Sequence, residues 1–309
     1  MTRAMLVAAG FGTRLAPLTD ELPKPAVPVA NRPLAWFALD HLHRFGVRDF
    51  VMNTHHLGRR LESSIEPWTP SDTSLRFSRE EAILGTGGGL RRAWDPRDDE
   101  TLLVMNAKLV FDPDIAELLA VHASAGAIAT MVLRALPTGS AFGGVDVDDA
   151  GCVRAILSEQ PPTAGLTRRM FTGVHVLHAR AWRDLPEDGC VIRHSYRAWL
   201  ARGEPVMSIL AAEPWADLGI TPQHYAEGNL ALLDGERTWP GIAPTAGGVL
   251  VADDARVGAG CKLHRCAVGA GATIDPGVEL DSAIVWPGAH VTSHLKRTIM
   301  TTAGVRVQF

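Results

Sequence analysis

Lysine is scarce in this 309-residue chain: of 30 basic residues only Lys24, Lys108, Lys262 and Lys296 are lysine. Arginine is the default cation here. Where lysine stands instead, either chance or a need for a compact, deprotonatable point charge accounts for it. A charge surplus is also missing. With a formal net charge of -4, no basic surplus points to nucleic acid and no acidic block suggests a disordered tail, so any anion site must be local. The four cysteines, Cys152, Cys190, Cys261 and Cys266, form no Cys-x-x-Cys pair, and none has a histidine at zinc-finger spacing. Reduced, partly buried thiols are expected. No apolar run approaches the ~18 residues of a membrane span, and Arg3, Gly10 and Arg14 interrupt what a signal peptide needs as its apolar stretch. A cytoplasmic protein is the expectation.

What is present alternates regularly. Met5 to Ala9 is a short apolar run ending in Gly10-Phe11-Gly12, which reads as a buried strand feeding a glycine loop. Phe50-Val51-Met52, Leu102 to Met105 and Ile128 to Leu133 read as further strands, interleaved with helical stretches at Leu34 to Phe45, Leu57 to Ile65 and Pro113 to Ala123. Asp112 is the expected N-cap of the last of these, with proline in its first turn and Gly126 beyond its end. The alternation predicts a layered α/β fold, a Rossmann-like three-layer α/β/α domain over residues 1–240.

Beyond about residue 245 the period changes. Val251, Val257, Leu263, Val268, Ile274, Leu280, Val285 and Val291 recur every five or six residues, with glycine and proline in the gaps. This predicts a short left-handed parallel β-helix of two to three coils over residues 245–309, each coil taking 17 residues. Pro240, Pro244, Gly247 and Gly248 mark the boundary.

Gly10-Phe11-Gly12-Thr13-Arg14 is not a dinucleotide fingerprint, because Leu15 stands where that motif needs glycine or alanine, and it is not a P-loop. It remains a strand followed by closely spaced glycines whose N–H groups can converge on an anion, with an arginine fork alongside. The longer string Ala8-Ala9-Gly10-Phe11-Gly12-Thr13-Arg14-Leu15-Ala16-Pro17-Leu18-Thr19, followed by Pro23-Lys24-Pro25 and Pro28, closely resembles the signature of the nucleotide-sugar pyrophosphorylases, or sugar-1-phosphate nucleotidyltransferases. Gly85-Thr86-Gly87-Gly88-Gly89 resembles that family's segment packing on base and ribose. Leu103 to Asn106 matches its central strand, and Phe142-Gly143, Glu159 and Thr172-Gly173-Val174 fall where it contacts the sugar. Trp215-Ala216-Asp217-Leu218-Gly219 is similar to its late metal-ligand segment.

The resemblance implies a reaction in which a sugar 1-phosphate oxygen attacks the α-phosphorus of a nucleoside triphosphate, releasing pyrophosphate without a protein nucleophile. Positioning and local positive charge are what such chemistry asks of the protein. It further implies Arg14, Lys24 and Lys108 at the catalytic positions, with Arg14 on the leaving phosphates and Lys24 on the α-phosphate and sugar phosphate. Ala8, Ala9, Gly10, Gly12, Thr13, Arg14, Gly85, Thr86, Gly87 and Asn106 would hold the nucleotide, and Gly143, Glu159 and Gly173 the sugar. Asp217 would be a ligand for Mg²⁺. The chain looks like mannose-1-phosphate guanylyltransferase and related sugar-phosphate enzymes, a resemblance that favours GTP and a mannose or related hexose or heptose phosphate. A homo-oligomer, or association with a paralogous catalytic subunit, is expected.

Three departures stand out. The family's Asn-Gly-Asp is Asn106-Ala107-Lys108, its Glu-Lys-Pro is Glu159-Gln160-Pro161, and Ile220 interrupts Gly-Thr-Pro. Lysine therefore replaces a magnesium carboxylate. Two aspartates and Mg²⁺ sum to zero, as do Lys108 and Asp217, so lysine can stand in for charge but not for octahedral geometry. The alternative is a catalytically impaired, nucleotide-sugar-binding regulatory subunit. His41, His43, His55 and His56 show no carboxylate partners at ligand spacing and are read as surface or internally satisfied groups.

Overall fold

A computed structural model describes residues 2–97, 99–137, 143–157, 161–243 and 245–309. Phe142, Glu159, Gln160 and Pro244 lie outside the described residues. Three parallel strands form its centre: β1 (Arg3–Val7), β2 (Asp49–Thr54) and, after β3 (Ser74–Arg79) at the edge, β4 (Thr101–Asn106). β1 pairs in parallel with both β2 and β4, and β2 pairs with β3. The sheet continues through β5 (Ala129–Ala135), β6 (Gly144–Val147), β7 (Val153–Ile156), the long β8 (Thr167–His178) and β9 (Val206–Leu210). β8 runs antiparallel to β4 and then splits its partners between β5 and β6.

Both faces of this mixed sheet are covered, and the strand sequences show why. Alternate side chains of a strand point to opposite faces, so a continuous apolar run serves two cores. Ala4, Leu6, Phe50, Met52, Leu103 and Met105 join one core with α1 (Leu34–Arg44), α2 (Gly58–Ile65) and the later helix Ile115–Ser124. Met5, Val51, Leu102 and Val104 join the other with the helix Gly85–Ala93, Tyr196 and Trp199. The layered α/β expectation is met. The helix expected from Pro113 instead begins at Ile115: Asp114, not Asp112, is its N-cap and accepts from the Glu117 N–H at 2.9 Å. Asp112-Pro113-Asp114 offers two capping acids, and the Pro113 carbonyl is already engaged by His41 Nε2 at 3.0 Å.

In the C-terminal part, Val249–Val251 pairs in parallel with Cys266–Val268, which pairs with Ala283–Val285, each step being 17 residues along the chain. Arg256–Val257, Thr273–Ile274 and His290–Val291 repeat the same offset in a second sheet. The final step departs from the expected period, since Leu280 pairs with Leu295. Ala267, Ile284, Trp286 and Ile299 share a core with Val27, Val29 and Tyr225 of the N-terminal part. Tyr225 lies on the helix Pro222–Leu233, and its hydroxyl accepts from Trp286 Nε1 at 3.0 Å while donating to the Pro28 carbonyl. Asn229, one turn on, donates to the same carbonyl at 3.0 Å and accepts from the Ala30 N–H at 2.9 Å.

Candidate active site

β1, β2 and β4 are parallel, so their C-terminal ends open on the same edge of the sheet, where ligand crevices of such folds lie. A cavity of about 310 Å³ occupies that edge. β1 supplies Val7 and the loop Ala8, Ala9, Gly10, Gly12 and Arg14; β2 supplies Asn53; β4 supplies Asn106 and then Lys108. Lys24, Pro25, Glu80, Ile83, Gly85 and Thr86 complete the lining. Most of the residues expected to hold a nucleotide are therefore brought together.

The glycine loop is built as an anion cradle would be. Ala8 is anchored, its N–H donating to Asn53 Oδ1 at 2.8 Å, so that amide is not available to a ligand. Asn53 Nδ2 donates in turn to Glu80 Oε1 at 2.8 Å, and Glu80 Oε2 accepts from the Leu84 N–H at 3.1 Å. This buried relay ties the glycine loop to the start of the helix Gly85–Ala93. The N–H groups of Gly10, Phe11 and Gly12 meet no protein acceptor among the described residues. Closely spaced free amides of this kind attract an anion.

Lys24 stands in a slot. A 3₁₀ turn, Lys24–Ala26, starts at Pro23, and the lysine stem then passes between two glycines. A Cβ on Gly12, whose φ is +70°, would lie 3.2 Å from Lys24 Cβ and 2.9 Å from Thr19 Cγ2; one on Gly219 would lie 2.3 Å from Lys24 Cδ. Only glycine leaves room on both sides. Burial, with Lys108 and Arg14 nearby, lowers the Lys24 ammonium to a pKa of about 8, opposed by Asp217. Arg14, Lys24 and Lys108 also outnumber the carboxylates of Glu80 and Asp217 at this edge, an excess of positive charge that a polyphosphate would relieve.

Lys108 follows β4, and Leu109–Val110 pairs antiparallel with Ala216–Asp217. That two-residue ladder places Asp217 beside Lys108, and the two form an ion pair between Lys108 Nζ and Asp217 Oδ2. Asp217 Oδ1 accepts from the Gly219 N–H at 3.0 Å. The expected Mg²⁺ does not fit this arrangement. Asp217 has both oxygens engaged, its would-be companion carboxylate is an ammonium, and no group of three or more potential metal-binding side chains occurs among the described residues. A hard divalent ion needs several oxygen ligands.

Other expected residues lie apart from the cavity lining. Thr13 is exposed in the 3₁₀ turn Thr13–Leu15, and the Gly87 N–H is spent on the Gly189 carbonyl at 2.7 Å. Gly173 lies directly beneath Asn106, where a Cβ would come within 2.2 Å of Nδ2, so it supports a lining residue. Gly143 packs against Leu157, and Glu159 is outside the described residues. Of the histidines, His41 is buried and its pKa falls to about 4 through desolvation, while His55 and His56 bond the carbonyls of Glu80 and Thr19. Sequence reading missed Asn53 and Glu80. Asn53 is a polar residue at the end of a strand beside the glycine loop, which is the signal that was available for it.

The nucleotidyl transferase family profile matches residues 3–235. Mannose-1-phosphate guanylyltransferase of Mycobacterium tuberculosis is 31% identical over 294 residues, covering 93% of this chain and 80% of that protein. A UTP–glucose-1-phosphate uridylyltransferase of Synechocystis is 26% identical over 238 residues, covering 72% of this chain and 61% of that one. Among solved structures, UDP-glucose pyrophosphorylase from Acinetobacter baumanii shares the fold with a TM-score of 0.64 at 20% identity, covering 78% of this chain and 95% of its own. HddC from Yersinia pseudotuberculosis, solved with GMP-PN, gives 0.60 at 19% identity over 74% and 98%. With the profile spanning the whole mixed sheet and its cation-lined edge, the chain belongs to the nucleotidyl transferase family.

Proposed function

We propose that this protein transfers a nucleotidyl group from a nucleoside triphosphate to a sugar 1-phosphate, releasing pyrophosphate, with GTP and mannose 1-phosphate as the favoured pair. The observation that carries this reading is the convergence of Arg14, Lys24 and Lys108 on one glycine-lined cavity at the C-terminal edge of the sheet. The nucleobase preference follows the guanylyltransferase relatives, several of which match most of the chain. Nothing in those likenesses supports the catalytically impaired alternative.

The triphosphate lies along the free amides of the glycine loop, with the base toward Gly85 and Thr86. Arg14 offers its fork to the leaving phosphates. Lys24, held in its glycine slot, faces the α-phosphate, and its charge opposes the negative charge that builds as the sugar phosphate oxygen attacks in line. The new oxygen–phosphorus bond forms, the bond to the β-phosphate oxygen breaks, and pyrophosphate departs with the electron pair. No side chain acts as nucleophile. Asn106, supported on Gly173, faces the same cavity and orients the reactants.

Residues 1–240 are read as the nucleotidyltransferase domain and 245–309 as a left-handed β-helix. The 17-residue offsets and a positive-φ corner at Arg265, Ser282 and Arg297, one per repeat, support the coiled β-helix of the second assignment, whose left hand is part of the proposal. The free cysteines favour a reducing compartment such as the cytoplasm. Pyrophosphate release, measured over a panel of triphosphates and sugar 1-phosphates, tests the activity: a GTP and mannose 1-phosphate maximum supports the full reading. A maximum with another pair replaces only the substrate assignment.

A further inference from the structure

The pairing of Lys108 with Asp217 has a consequence for how this site holds a polyphosphate, and it rests on the reading of the cavity as a nucleotide site. Lys108 lines the cavity and Asp217 does not. The lysine therefore stands between the carboxylate and the space a phosphate chain would fill. Asp217 is spent on two donors, Lys108 Nζ and the Gly219 N–H, and its side chain is only 4% exposed. Glu80, the carboxylate among the described lining residues, has each oxygen accepting a hydrogen bond, from Asn53 Nδ2 and the Leu84 N–H. Among the described residues, each carboxylate oxygen of Glu80 and Asp217 already has a donor. Three positive side chains face the same space, and their mutual repulsion is what a doubly charged ion would also meet.

Lys108 is placed to do more than cancel Asp217. An ammonium has three donors; one goes to Asp217, and the side chain keeps 27% of its surface exposed. Its remaining donors are free to engage phosphate oxygens while the carboxylate fixes the flexible stem. We infer that Lys108, anchored on Asp217, neutralises the nucleotide's phosphates in place of a protein-bound divalent ion, so that triphosphate binding here does not depend on one.

Calorimetric titration of GTP, and separately UTP, into the full-length protein tests this in buffer with EDTA and in buffer with Mg²⁺. The wild-type dissociation constant should differ by less than roughly threefold between the two. Lys108→Met should weaken binding about tenfold or more in both buffers, through loss of a charged hydrogen bond. Lys108→Asp, which restores a paired carboxylate, should bind poorly in EDTA and recover with Mg²⁺. In the presence of GTP it should also immobilise Mn²⁺ in an electron paramagnetic resonance titration, where wild type does not beyond the nucleotide's own chelate. Thermal melts of each variant verify folding, and the wild-type comparison stands without them. A wild-type requirement for Mg²⁺, seen as a loss of about tenfold or more in EDTA, overturns the inference while leaving the nucleotidyltransferase reading intact. Absence of triphosphate binding in either buffer removes that reading and the inference with it.

Discussion

Lys24 runs across the face of Gly219 so closely that a Cβ there would lie 2.3 Å from its Cδ and 2.9 Å from its Cε. Gly219 has no left-handed φ, so alanine brings no backbone strain. The conflict is with the lysine stem, which can swing away. Gly219→Ala should therefore lower kcat/KM for nucleotidyl transfer about tenfold or more, at a stability cost of about 1 kcal/mol. Steady-state kinetics beside urea unfolding separates the two effects. Full activity in a folded variant would show that the slot does not position Lys24.

Lys24 also makes binding depend on pH in a defined direction. With its pKa lowered to about 8 by burial and neighbouring cations, the amine is mostly neutral at pH 9 in the free protein, and phosphate restores its charge. Triphosphate binding at pH 9 should take up a large part of one proton through Lys24, a contribution that fades as pH falls below about 8. Calorimetry at pH 9 in two buffers of different ionisation enthalpy measures this, and Lys24→Met should abolish the uptake. The sign for the empty protein is the reverse. Between about 8 and 10.5 the unfolded chain binds the extra proton, so stability gains as pH rises through that window.

A brace stands behind the lysine segment. Tyr225 links Trp286 of the C-terminal part to the Pro28 carbonyl. Tyr225→Phe leaves the buried Trp286 N–H without its acceptor, and should cost about 1–3 kcal/mol in urea unfolding. An unchanged midpoint would mean that the indole finds another partner.

Much of the site was legible because it is written in contiguous strings. Gly10 to Arg14, Lys24 and Gly85-Thr86 sit at strand or helix ends, and the parallel order of β1, β2 and β4 gathers them at one edge. The alternation of buried residues that feeds two cores was readable for the same reason. Asn53 and Glu80 were not read, since one ends an apolar strand and the other sits in Arg79-Glu80-Glu81, which looks like a solvated turn. Their bond exists only because β2 and β3 are neighbours. The helix starts two residues later than expected: Asp112 and Asp114 both suit an N-cap by residue type, but Asp114 caps the Glu117 N–H while the Pro113 carbonyl bonds His41 Nε2, a contact 72 residues away in sequence. Lys108 could be seen to replace a carboxylate, but its contact with Asp217 depends on the ladder between Leu109–Val110 and Ala216–Asp217.

Phosphorus NMR of the purified protein incubated with GTP and mannose 1-phosphate, run beside Lys24→Met, tests the central claim most directly. The account predicts paired growth of pyrophosphate and sugar-linked diphosphate resonances in wild type, with a rate lower by about a hundredfold or more in the variant. Equal rates in the two proteins, or no diphosphate from any triphosphate and sugar 1-phosphate pair, would contradict it.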